Sequence, residues 1–543
     1  MTAEPPPPWW RSAVVYQVYP RSYCDRSGDG VGDLAGIGAH LDHLADLGVD
    51  AIWLSPIYPS PMADFGYDVS DYCDVDPLFG TLDDLDRLVE AAHSRDLRVI
   101  LDWVPNHTSD RHPWFVSSRS SRTSPHRDWY IWRDPDPGGG PPNNWRAAFP
   151  GVGGGEFPSA WTYDDHSGQW YLHLFLAEQP DLNWANPAVQ EAMAETLRFW
   201  LDRGVDGFRM DVIHAIAKDP SLPDLPPDLA PIPMCALIDD PGVHPLVAGI
   251  RSVVKAASPE AVVIGEIVLP TVGQVASYYG TAAAPELDLA FNFHPLHAPW
   301  DPSAWRRQID RAQAEIAPVG WPAWALGNHD NRRQRTRYGS EARARAAAVL
   351  LLTQAGTPFM YAGEELGLSD AAVPPERRVD PGGRDGCRAP IPWTPEQGHG
   401  WAAEPWLPWP PEAATGGDAR SQRSTPGSTL DLYRCLLAAR RGSPALSLGS
   451  FEWLPSPDSV LCYRRVSGDG SDQRVVAVNF APTTPPEPVR LPAGGWEVEV
   501  STHAGPGVGA GAGSGRMGAG AGRMVSGELV LEGDEAVVLR PAG

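Results

Sequence analysis

The chain has 543 residues, room for more than one domain, and its 42% hydrophobic and 20% charged residues are the balance of a soluble globular protein. A formal net charge of −25 argues against a nucleic-acid partner, which calls for basic patches, and leaves a neutral partner such as a carbohydrate as the better fit. No stretch approaches the ~20 continuous apolar residues of a membrane span, and the proline-rich residues 1–10 lack the pattern of a secretion signal. The six scattered cysteines contain no CxxC pair, so free thiols and a cytoplasmic location are expected.

In chain order, apolar β-rich runs at 13–19, 50–54, 98–102, 205–209, 261–265, 287–291, 322–326 and 358–361 alternate with helical patterns such as 82–93 and 187–201. Eight strands interleaved with helices predict an α/β fold, a parallel (β/α)8 barrel, with catalytic groups where strands end and loops begin. The connection after the third strand is far too long for an ordinary loop. It is read as an inserted subdomain over 105–181, dividing the barrel into 1–104 and 182–450. A second long stretch, 364–424, follows the eighth strand. After about residue 450 helical spacing stops, and alternating runs at 460–465, 474–479, 496–501 and 528–539 predict a C-terminal antiparallel β-sandwich domain, 451–543. Within it, 505–522 is a low-complexity Gly/Ala stretch.

Four strings lie at strand ends: Asp102-Trp103-Val104-Pro105-Asn106-His107, Gly207-Phe208-Arg209-Met210-Asp211, Ile264-Gly265-Glu266 and Asn328-His329-Asp330. A single strand-end Asp is more often a helix cap, and a single His or Arg more often structural. Four such strings in order outweigh that. Arg209, two residues before Asp211, would hold that carboxylate ionised as a nucleophile. Glu266 follows Val262-Val263-Ile264, and an apolar surround suits a general acid. A third carboxylate, Asp330, would bind hydroxyls and raise the acid's pKa. If Asp211 and Glu266 face each other at about 5–5.5 Å, double displacement at a sugar acetal follows.

These strings resemble, in order, the conserved regions of the α-amylase superfamily, glycoside hydrolase family 13, and most of all its α-glucosidase and oligo-1,6-glucosidase members. Supporting strings are Tyr16-Gln17-Val18-Tyr19-Pro20, Phe65-Gly66-Tyr67-Asp68-Val69, Gln179-Pro180-Asp181-Leu182-Asn183-Trp184 and Arg384-Asp385-Gly386-Cys387-Arg388. The resemblance implies Asp211 as nucleophile, Glu266 as acid/base and Asp330 as transition-state stabiliser, with His107, Arg209 and His329 as ligands of the sugar. It implies that Asp64, Tyr67 and Arg388 close the pocket around a terminal glucose, with Phe149 against it. Val212, beside the nucleophile, is associated in such enzymes with α-1,6 activity, although the following Ile213-His214-Ala215-Ile216 departs from the usual string.

Asp25-Arg26-Ser27-Gly28-Asp29-Gly30-Val31-Gly32-Asp33 sets oxygen donors at alternate positions, hard-cation chemistry. It resembles a divalent-ion loop in which Asp25, Ser27, Asp29, Asp33 and the Val31 carbonyl would hold a structural Ca2+ or Mg2+. No organic cofactor is implied. The expected function is a retaining exo-acting α-glucosidase on short α-glucosides such as maltose, isomaltose or sucrose. A glucosyl transferase or sucrose/trehalose-type isomerase using the same intermediate is the alternative, and a non-catalytic carbohydrate-binding relative is a further one.

Overall fold

A computed structural model describes residues 6–150, 155–485, 487–503 and 522–542. Most of the Gly/Ala stretch therefore lies outside the described residues. Eight parallel strands close into a barrel: β1 (Val15–Val18), β2 (Ala51–Leu54), β3 (Arg98–Trp103), β4 (Gly207–Met210), β5 (Val262–Ile267), β6 (Leu289–Asn292), β7 (Ala323–Ala325) and β8 (Thr357–Tyr361). Each overlaps one of the apolar runs, because strands buried on both faces have no polar positions to spare. Register is continuous from Ile100↔Gly207 through Arg209↔Ile264 to Glu266↔Phe291, which brings the strand-end motifs to one rim. The barrel interior holds Val15, Trp53, Ile100, Ile264, Leu289, Phe291 and Phe359.

Helices wrap the barrel. The first of the two expected from spacing, α1 (Leu82–His93), starts at Thr81, whose hydroxyl accepts from the Asp84 amide while the Asp84 carboxylate accepts from the Thr81 amide. The second, α2 (Pro187–Asp202), opens with Asn186 as cap and proline in its first turn.

Between β3 and β4 lies a small antiparallel sheet of three strands, Trp132–Arg133, Gln169–Leu172 and Trp161–Asp164, in that spatial order. Its apolar residues Trp145, Trp161, Leu172 and Leu174 form one cluster with Val212, Ala215, Leu222 and Ile238. The insertion thus sits on the chain that follows β4, beside Asp211.

The C-terminal strands are β9 (Ser450–Trp453), β10 (Val460–Val466), β11 (Gln473–Asn479), β12 (Val489–Ser501), β13 (Met524–Leu529) and β14 (Ala536–Pro541), antiparallel in the order β9-β10-β11-β14-β12-β13. The run 528–539 is thus two strands, parted by a turn with Asp534 at φ 53°. The domain is antiparallel as expected, and its described strands are linked by hydrogen bonds into one connected sheet. Register breaks in β12, between Arg490 and Gly495 and between Val498 and Val500, are the bulges that bend a single sheet. One face encloses Cys462, Val475, Trp496 and Leu529, while Leu461, Tyr463, Val476 and Val538 on the other join the barrel's outer core.

Candidate active site

Arg209, on β4, is the hub. Its Nη1 donates to Asp102 Oδ1 (2.7 Å) and Asp211 Oδ1 (2.8 Å), and its Nη2 lies 2.7 Å from Glu266 Oε2. Asp211 and Glu266 thus sit on the two terminal nitrogens of one guanidinium. The residue after Asp211, Val212, has φ 35°, a left-handed conformation that a β-branched side chain adopts only under constraint. That turn points the Val212 amide at Glu266 Oε2, 3.0 Å away.

Three carboxylates share this one cation, and two of them, Asp211 and Asp102, hold on to protons. Burial pushes the Asp211 carboxyl well up, with Glu266, Asp102 and Asp330 adding to it and Arg209 opposing. Burial likewise takes Asp102 up to about 7, against the pull of Arg209. Burial also acts upward on Asp330, but His329, Arg384, Arg388 and Arg209 outweigh it and hold that carboxyl far below the usual range.

His329 is buried, its ring stacked on Tyr67 with centroids 5.3 Å apart. The Gln17 amide donates to Nδ1 (2.7 Å), which leaves the proton on Nε2, beside the Tyr67 hydroxyl (2.7 Å) and Asp330 Oδ2 (3.2 Å). The Tyr67 hydroxyl donates in turn to Asp102 Oδ2 (2.9 Å). His107 Nε2 lies 3.2 Å from the Tyr67 carbonyl and 3.0 Å from Gln179 Nε2. Burial pulls both imidazoles down, His107 to about 4 and His329 to about 3, so both are neutral at pH 7.

A cavity of about 490 Å³ opens over these groups. Asp64, Tyr67, His107, Phe149, Asp211, Glu266 and Asp330 line it together; Arg209 and His329 stand behind them. Arg388 departs from its expected place. It is fully buried, donating to the His329 carbonyl (2.8 Å) and pairing with Asp330 (3.2 Å) and Asp380 (3.1 Å). The guanidinium in the cavity is Arg384's, bound to Asp64 (2.5 Å), Asp330 (2.9 Å) and Asp380 (2.7 Å) and lying 4.9 Å over the Phe149 ring. Both arginines belong to one string, but the single turn Asp385–Arg388 points them to different sides of Asp330. Spacing alone does not say which one faces the substrate. Gln179 was visible only as part of a supporting string; it donates to Asp64 Oδ2 at 3.1 Å.

Lys218 was also missed as a site residue. It is one of only two lysines in the chain and is buried, 2.7 Å from Asn106 Oδ1 and 2.8 Å from Asp181 Oδ2. It therefore ties the start and the end of the insertion to the loop after β4.

The Asp25–Asp33 loop follows β1. Asp25 Oδ1 accepts from the Gly28 amide and the Ser27 hydroxyl, and its Oδ2 from the Gly30 and Ala403 amides. Asp33 Oδ2 accepts from the Arg26 and Ser27 amides, its Oδ1 from the Gly36 amide, and Asp29 turns to the Val31 amide. These carboxylates are spent on N–H and O–H donors rather than turned to a common point as Ca2+ requires. Among the described residues no group of three or more His, Cys, Asp or Glu side chains could hold a metal ion. The loop in this form does not fit an ion, and no catalytic step is routed through one.

Residues 17–449 match the model of the alpha amylase catalytic domain. The chain belongs to glycoside hydrolase family 13, the α-amylase superfamily. It is therefore an enzyme of the glycoside hydrolase class. Residues 449–538 match a domain family of unknown function. Relatives include a probable alpha-glucosidase of Rhizobium meliloti, 42% identical over 86% of this chain and 88% of that protein. An oligo-1,6-glucosidase of Parageobacillus thermoglucosidasius is 36% identical over 88% and 91%. Among solved structures, the alpha-glucosyl transfer enzyme XgtA superposes with a TM-score of 0.87 at 39% identity, covering 98% of this chain and 100% of that one. The trehalulose synthase MutB of Pseudomonas mesoacidophila MX-45 does so with 0.87 at 35%, covering 99% and 100%. No described helix is long and apolar enough to cross a membrane.

Proposed function

We propose that this family 13 enzyme is a retaining, exo-acting α-glucosidase on short α-glucosides. The observation that carries the reading is the pairing of Asp211 and Glu266 on Arg209 beneath a wall of Asp64, Arg384 and Asp330. Two carboxylates on one guanidinium have the close spacing of double displacement. The Asp64–Arg384–Asp330 bridge blocks extension of a chain past the first sugar, so the enzyme works from a non-reducing end.

In the first step an Asp211 oxygen attacks the anomeric carbon, the bond to the aglycone oxygen breaks, and Glu266 gives that oxygen its proton. In the second, Glu266 takes a proton from water as the water oxygen displaces Asp211, so the configuration is retained. Asp330 and neutral His107 line the cavity and support binding of the sugar's hydroxyls, with His329 beside Asp330 from behind. Val212 at the turn beside the nucleophile supports tolerance of α-1,6 as well as α-1,4 linkages.

Trapping with a slow fluorinated glucosyl donor tests the reading. The expected result is one ester-linked glucosyl group on Asp211, found by peptide mass spectrometry, with α-glucose as the first product from maltose and isomaltose. Label on another residue, or β-glucose as the first product, overturns it. Likeness to a glucosyl transfer enzyme and to trehalulose synthase favours a second activity, transfer to a hydroxyl acceptor.

A further inference from the structure

The cavity changes character from floor to mouth. Its buried floor is polar and charged, Asp64, Tyr67, His107, Asp211 and Glu266, with the part-exposed ion pair of Asp330 and Arg384 on one side. Its part-exposed rim is not: Phe149, Pro150, Phe157, Cys235, Val268 and Phe293 line it with phenyl, pyrrolidine, thiol and isopropyl groups. Val268, two residues beyond Glu266, is 39% exposed. Of the polar side chains at this level, Asn331 already donates its amide to Asn328 (2.9 Å). His297 is exposed.

A second sugar seated here would bring several hydroxyl groups against a surface with few described partners, and a buried hydroxyl left without a partner costs free energy. An alkyl or aryl group meets the opposite balance, since each methylene removed from water against such a surface is favourable. Resting on the glucosidase reading, we infer that the aglycone side of this site selects apolar aglycones, and that the preferred substrates are α-glucosides of apolar alcohols. The leaving alcohol of the first step and the acceptor of the second occupy the same place, so apolar alcohols are also the preferred acceptors. In that transfer the alcohol oxygen bonds to the anomeric carbon, the ester bond to Asp211 breaks, and the alcohol's proton passes to Glu266.

Methyl, butyl, hexyl and octyl α-glucosides test this. The basicity of the leaving alcohol is nearly constant from butyl upward, so the trend in kcat/KM reads contact rather than chemistry. The expected result is a rise of about two- to fourfold per methylene over the first several carbons, with hexyl α-glucoside ahead of maltose and isomaltose. Val268→Asn and Phe293→Asn should each flatten the series. With hexanol added, alkyl α-glucoside should form at the expense of glucose. A flat series in the wild-type enzyme, with the disaccharides ahead, overturns the inference and points instead to stacking of a sugar face on the phenylalanine rings. Failure to cleave any α-glucoside overturns the glucosidase reading itself, and this inference with it.

Discussion

At the scale of single residues, Arg384 and Arg388 divide the labour at Asp330. Arg384 faces the cavity and Arg388 supports the same carboxylate from behind. Arg384→Ala removes the guanidinium that faces the cavity, so kcat/KM should fall about 10- to 100-fold with the fold intact. Arg388→Ala should act first on stability, because it strips a buried ion-pair network of one member, a loss of about 3 kcal/mol. Thermal unfolding beside steady-state kinetics separates the two, and equal loss of stability in both variants would contradict the assignment. The carboxylate cluster sets the pH response. His107 and His329 have values pulled low by burial and stay neutral across the working range, so they contribute no limb there. Asp211 and Asp102 have raised values, and a group with a raised pKa loses its proton only as pH climbs to that value. Asp211 attacks as the carboxylate, so activity should rise on the acid side as pH climbs to that value. Asp102→Asn removes a neighbouring negative charge that helps to raise Asp211, which eases proton loss from Asp211 and should move that acid limb to lower pH. An unmoved limb in a pH profile of kcat/KM would show that the cluster does not titrate as a unit.

At the scale of elements, the site depends on how the insertion is pinned to the barrel. Lys218 bonds Asn106, where the insertion leaves β3, and Asp181, where it returns. Asn106 in turn lies 3.2 Å from His107 Nδ1. Lys218→Met leaves Asp181 as a buried charge without its cation, at a cost of about 3–5 kcal/mol. The expected signature is a lowered unfolding midpoint together with faster amide exchange in residues 105–150 and little change in the C-terminal sheet. Uniform exchange through the whole chain would argue that Lys218 stabilises the barrel at large. Nothing local in the sequence marks this lysine's role, because the two ends it joins are 75 positions apart in the chain. The same distance problem hid Gln179, which meets Asp64 only after the insertion folds back.

At the scale of the whole molecule, the C-terminal sheet buttresses the barrel. Arg465 of β10 donates to the Gly449 carbonyl (2.9 Å) and to Thr353 at the end of a barrel helix (2.5 Å). Tyr463 and Val476 join the same apolar core as that helix's Val349 and Leu350. The eight strand ends then converge on one rim, so carboxylates from β3, β4, β5 and the loop after β7 meet although up to 228 positions separate Asp102 from Asp330.

By itself the sequence determined the barrel, the places of its eight strands, the inserted and C-terminal units and the strand-end motifs. These are written in local periodicity and short strings, which need only a few consecutive residues to be read. Tertiary structure alone decided which arginine of one string faces the cavity, how the acidic loop after β1 spends its oxygens, and how the C-terminal strands are joined into one bulged sheet. Each of these turns on the direction of a side chain or the bending of a strand, and that is fixed by neighbours distant in the chain.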